Sequence, residues 1–119
     1  MFNCTPKLFE AFEPLEDPVP EAYVIVEMQI SDPEQYKLYM AEAPATVKAA
    51  GGEYVVRGGR CEVLEGEWRP ARLAMLKFPS VEAARAWYES ERYRVARSIR
   101  SGATSMFDMV VVEGVSSPV

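Results

Sequence analysis

Between Ala22 and Glu113 the chain twice runs strand, helix, strand, and this repeat restricts the possible folds more than any other feature of its 119 residues. Ala22–Ile30 is rich in β-branched residues and reads as a strand. Alternation places Val24, Val26, Met28 and Ile30 on one face and Tyr23, Ile25, Glu27 and Gln29 on the other. Asp32 then suits a helix N-cap, Pro33 the first helical position, and Gln35 the far side of a capping box. This helix is predicted to run to about Ala50 and stop at Gly51-Gly52. A kink is expected near Glu42-Ala43, because Pro44 lacks an amide donor and crowds the preceding turn. Its apolar stripe is Tyr36, Tyr39 or Met40, Ala43, Val47 and Ala50.

The second half repeats the plan with an added turn. Glu53–Arg57 is a strand, Gly58-Gly59-Arg60 a turn, and Cys61–Leu64 a short strand before Glu65-Gly66-Glu67 turns again. Leu73–Phe78 is the third long strand, ended by Pro79. Ser80 caps a helix to about Glu89, Ser90 caps its continuation to Ser101-Gly102, and Ser105–Glu113 is the last strand. The order βαββαβ predicts an α+β, ferredoxin-like domain over 22–115, with an antiparallel sheet ordered 4-1-3-2 and both helices on one face. The uncovered face, carrying Tyr23, Ile25, Leu73 and Met75, is too apolar to sit comfortably in water. Packing two such faces together predicts a homodimer.

Residues 1–21 form an extension and 116–119 a tail. In the extension, Phe2, Leu8, Phe9, Phe12 and Leu15 suit either a short amphipathic turn or a loosely ordered segment. The net charge of -5 is uneven: residues 1–21 hold one base against five acids, and 81–101 five bases against three. An overall acidic chain lacks the basic footprint of a duplex nucleic-acid binder, and no 18-residue apolar run predicts a membrane span. Arg85, Arg92, Arg94, Arg97 and Arg100 suit either an anionic ligand or a solvated helix face. Cys4 and Cys61 form no paired framework, which with the absent signal segment predicts a cytoplasmic protein. The chain has no histidine. The usual neutral-pH base and the histidine metal signatures are therefore missing, and neither metal nor cofactor is expected.

An ordered series of short pieces is similar to the domain of unknown function 1330 family. It includes Ser31-Asp-Pro-Glu-Gln-Tyr36, Gly51-Gly52, Val56-Arg-Gly-Gly59, Trp68-Arg-Pro70, Phe78-Pro-Ser80 and Val111-Val-Glu-Gly114, and spans roughly 22–115. The resemblance implies a dimeric α+β barrel, in which two ferredoxin-like sheets face each other. It also implies relatives as different as cofactor-independent monooxygenases, muconolactone-isomerase-like enzymes, haem-dependent chlorite dismutases and ligand-sensing domains. Absent histidine speaks against the haem branch, and function does not follow from a fold so widely reused.

The candidate chemistry centres on Glu27, mid-strand among apolar neighbours, with Arg57 and Lys77 expected beside it on the mixed face as cations. Glu27 and Arg57 are the candidate catalytic pair; a structural ion pair at a dimer interface is the alternative. Arg57 precedes Gly58-Gly59, whose amides suit an anion or merely a turn. Trp68 with Arg72 offers an aromatic plane beside a guanidinium, or a loop anchor. Trp87, Tyr88 and Tyr93, with Tyr36 and Tyr39 opposite, line either a pocket between helices and sheet or simply the core. The predicted site thus joins Glu27 and Arg57 to Tyr54, Trp68, Arg72, Lys77 and Tyr93 around a small organic acid or aromatic metabolite. The competing expectation is a non-catalytic sensing or dimerisation module.

Overall fold

A computed structural model describes residues 19–115. The expectations for residues 1–18 and 116–119 lie outside it. Seven elements follow in order: β1 Ala22–Ile30, α1 Pro33–Ala49, β2 Glu53–Arg57, β3 Leu73–Phe78, α2 Val81–Glu89, α3 Glu91–Arg100 and β4 Thr104–Glu113. The strands form one antiparallel sheet, β2-β3-β1-β4, which is the predicted 4-1-3-2 read from the opposite edge. Inward-pointing Val24, Val26, Met28, Ala74, Leu76 and Phe78 meet Tyr39, Ala43, Val47, Ala84, Trp87 and Tyr93 from the helices. This single interface, between the sheet and one helical layer, is the hydrophobic core.

The helix ends follow from local chemistry. The side chains of Asp32, Ser80 and Ser90 accept from the amides of Gln35, Ala83 and Tyr93, so each satisfies a donor that the first turn leaves free. Gln35 does not close the expected capping box. Its side-chain amide instead donates to the Ile99 carbonyl at 2.8 Å and ties α1 to α3. α1 continues as a helix through Pro44. Two residues on, the Thr46 hydroxyl donates to the Ala43 carbonyl at 2.7 Å and accepts from the Trp87 indole at 3.0 Å, holding α1 against α2.

Gly51, at φ +86, turns the chain out of α1. Gly52 is needed for space: a Cβ there would lie 2.6 Å from Cε1 of Phe78, a ring only 1% exposed. Gly52→Ala is therefore expected to destabilise the domain by about 1–3 kcal/mol through overpacking, read as a lowered urea midpoint at unchanged slope.

Two departures from the expected strands matter for function. Residues 61–64 form no strand; they are exposed, with Leu64 at 93%, and no strand among the described residues pairs with them. A single unpaired extended segment has neither ladder nor buried face to hold it. The second departure is a bulge at Val55: Tyr54 pairs with Leu76, whereas Val56 pairs with Met75 and Arg57 with Ala74. Strict alternation would have left Arg57 on the face of Glu53. The inserted residue moves it to the helix side instead.

Candidate functional site

A cavity of about 280 Å3 lies between the helices and the sheet. Val26 and Met28 of β1, Ala74 and Leu76 of β3, and Phe107 and Met109 of β4 form its floor. Tyr36, Tyr39 and Met40 of α1 and Trp87 of α2 form the opposite wall. Tyr54, Arg57, Gly58 and Arg72 complete it. These last four converge because β2 and β3 are pinned where their connection begins and ends, the Gly58 amide donating to the Leu73 carbonyl at 2.8 Å. Gly58 has φ +77, and a Cβ on it would meet Arg72 Nε at 3.3 Å. Glycine thus permits both the turn and the close approach of the second arginine. The Arg57 guanidinium sits 4.9 Å from the centroid of the Tyr54 ring, a cation–π contact that orients it.

The lining contains no carboxylate, thiol or imidazole. Its ionisable groups are two guanidiniums and three phenols. Burial holds the hydroxyls of Tyr36, Tyr39 and Tyr54 above the ordinary phenol range, helped at Tyr39 by the adjacent Tyr93. Tyr54 is pushed up to about 12 by burial, against the opposing pull of Arg57. Near neutral pH these phenols are therefore hydrogen-bonding groups and not bases. Tyr36 donates to Met28 Sδ at 2.9 Å, and the Tyr39 and Tyr93 hydroxyls share a hydrogen bond of 2.8 Å.

A raised phenol pKa has a testable sign. Below pH 10 Tyr54 is neutral in both folded and unfolded chains; above it the unfolded chain ionises first, so stability falls as pH rises from 10 to about 12. Unfolding measured across that window is expected to show a decline that Tyr54→Phe makes shallower.

Of the seven residues expected to share a site, Tyr54, Arg57 and Arg72 line this cavity. Tyr93 is fully buried just behind it, hydrogen-bonded to Tyr39 and packed on Trp87, both of which line it. Glu27, Lys77 and Trp68 belong to the other face of the sheet, so the expected grouping of Glu27 with Arg57 and Lys77 does not form. Glu27 pairs across the strands with Leu73 and Asp108, and accepts a hydrogen bond from the Trp68 indole at 3.2 Å. Lys77 reaches Glu53 at 3.2 Å and Glu21 at 3.9 Å, and its pKa is raised by these partners. The Val55 bulge is the reason for the separation. The pocket between helices and sheet does contain Tyr36, Tyr39 and Trp87, while Tyr88 lies outside it under Arg97, 4.4 Å from the ring centroid. Sequence reasoning missed Met28, Met40, Phe107 and Met109 as lining residues. Their only signal, an inward position on a strand or helix, is the signal of any core residue.

Among the described residues there is no group of three or more Cys, Asp or Glu placed to hold a metal, and no helix long and apolar enough to cross a membrane. The model for a domain of unknown function, DUF1330, matches residues 21–115. The chain belongs to the DUF1330 family. No match is found among curated proteins. A protein of unknown function from Rhodopseudomonas palustris superposes with a TM-score of 0.68 at 17% identity, over 85% of this chain and 87% of that one. A dimeric ferredoxin-like protein of unknown function from Thermobifida fusca gives 0.54 at 12% identity, over 87% and 99%. A putative antibiotic biosynthesis monooxygenase from Caulobacter crescentus gives 0.57 at 14% identity, over 82% and 92%. At such identities the likeness to these structures concerns the ferredoxin-like fold alone.

Proposed function

We propose that this DUF1330 protein is a homodimeric binder of a small organic acid with an aromatic or otherwise apolar body. One observation carries the reading: Arg57 and Arg72 meet at a cavity whose remaining walls are apolar or aromatic. Two guanidiniums match a carboxylate in charge and geometry, and a floor of Leu76, Phe107 and Met109 matches an apolar ring or chain. The neutral Tyr54 phenol supplies a donor that selects for a polar substituent. A lining without a base favours binding over residue-mediated proton abstraction.

The dimer in this reading forms through the uncovered sheet face. Tyr23, Ile25, Val56, Leu73 and Met75 lie there, with Val110 and Val112 of β4 at 57% and 47% exposure. Glu27, Lys77 and Asp108 lie among or beside them, which is the usual arrangement of an apolar interface with a polar surround. That the Thermobifida fusca protein is described as dimeric on the same fold supports this reading.

Calorimetric titration with benzoate, phenylacetate and their neutral amides tests the ligand class. Saturable binding of an acid, at least about tenfold tighter than its amide, is expected from loss of a charge-assisted contact. Equal affinities for acid and amide, or no binding of either, would overturn it. Native mass spectrometry against a metabolite extract then identifies the retained acid, and its turnover or persistence separates an enzyme from a binder.

A further inference from the structure

We propose that a second cavity, between α2, α3 and β4, is a separate site for a monoanion with an apolar body, held by Arg85 and Arg100. This cavity has a volume of about 460 Å3 and includes Arg85 and Tyr88 of α2, Arg100 at the end of α3, and Met109 and Val111 of β4. It touches the first cavity only through the shared wall of Trp87, Phe107 and Met109. Neither Arg57 nor Arg72 reaches it.

Arg100 is the group that distinguishes this cavity from a packing defect. Its guanidinium carbon lies over Phe107, 3.6 Å from the ring centroid, with the Tyr39 ring at 5.5 Å. These cation–π contacts hold the cation in place and leave its N–H groups as the means of recognition. The Nε–H is buried and, among the described residues, has no hydrogen-bond partner. A buried charged donor left unpaired is costly, so an acceptor brought to it recovers energy already lost in folding. Arg85 lines the same space and supplies a second guanidinium.

The lining selects the ligand. Arg85 and Arg100 are its charged side chains on the helix side, since Asp108 of β4 pairs with Glu27 and directs its carboxylate to the uncovered sheet face. Two guanidiniums suit one carboxylate, a monoanion they can share. Val24, Ala84, Trp87 and Met109 leave the rest of the cavity apolar, which suits a hydrocarbon chain or ring better than a bare inorganic ion.

Octanoate is the probe, and the arginine side-chain Nε–Hε resonances of the full-length protein are the readout. Saturable movement of the Arg100 resonance is expected, unchanged in the Arg57→Ala/Arg72→Ala protein and absent with neutral octanol. Arg85→Gln should weaken this binding about tenfold. A purely structural Arg100 would not give the saturation. An Arg100 resonance that stays fixed, or that moves equally with octanol, overturns the second site. A response at Arg57 without one at Arg100 overturns it while leaving the first site standing, and the reverse pattern does the opposite.

Discussion

Replacing Arg57 and Arg72 together with alanine is expected to weaken carboxylate binding at the first cavity by at least a hundredfold while leaving the fold intact. Each guanidinium supplies a charge-assisted contact of about 1.5–3 kcal/mol, and tenfold in affinity corresponds to about 1.4 kcal/mol. Both side chains are themselves exposed, so their truncation should cost the folded state little. Arg57→Lys is the sharper control. It keeps the charge but loses the planar contact with Tyr54 and the bidentate geometry, so affinity should fall by an intermediate factor. Calorimetry with benzoate, beside circular dichroism for the fold, checks both variants. Undiminished binding in the double variant would place the ligand elsewhere.

The second large effect is on assembly. Ile25→Asp puts a carboxylate at the middle of the uncovered sheet face, where Ile25 lies between Met75 and Val110 on the neighbouring strands. Burying an unpaired charge there, once from each copy, costs several kcal/mol per copy, enough to abolish a micromolar or weaker dimer and to weaken a tight one by orders of magnitude. Light scattering is expected to give twice the 13.3 kDa chain mass for the parent protein and the single-chain mass for the variant. The parent protein running at the single-chain mass would refute the face-to-face arrangement. The exposed Trp68, hydrogen-bonded to Glu27 on that face, offers a second reporter. Its emission should shift to the red when the dimer dissociates, whereas Trp87, 2% exposed, should not respond.

These two experiments address opposite faces of one sheet, and the division between the faces is where sequence and structure part. Residue-by-residue patterning was enough for β1: Val24, Val26 and Met28 are buried and Tyr23, Ile25 and Glu27 are not. The serine caps at residues 80 and 90, the break between α2 and α3, and the strand order were legible for the same reason. Each depends on a few neighbouring residues or on short connections that leave one topology. Arg57 was legible as a candidate site residue by type but not by position, because a bulge is decided by how β2 pairs with β3 and leaves no mark on β2 alone. Gln35 shows the same limit, since its reach to Ile99 spans 64 positions of sequence and no local rule anticipates it.

The amino-acid order by itself determined the βαββαβ path, the layer of helices on one face, the apolar character of the other, and the absence of an imidazole anywhere in the chain. Only the tertiary structure decided which charges share a space. It brought Arg57 and Arg72 to one cavity, sent Glu27 and Lys77 to the opposite face, and set Arg100 against Phe107 beside a second cavity. The physical reason is that secondary structure follows from short-range periodicity, whereas a site is made by contacts between residues far apart in the chain. Inserting the single residue Val55 into one edge strand is enough to change which of those contacts exist.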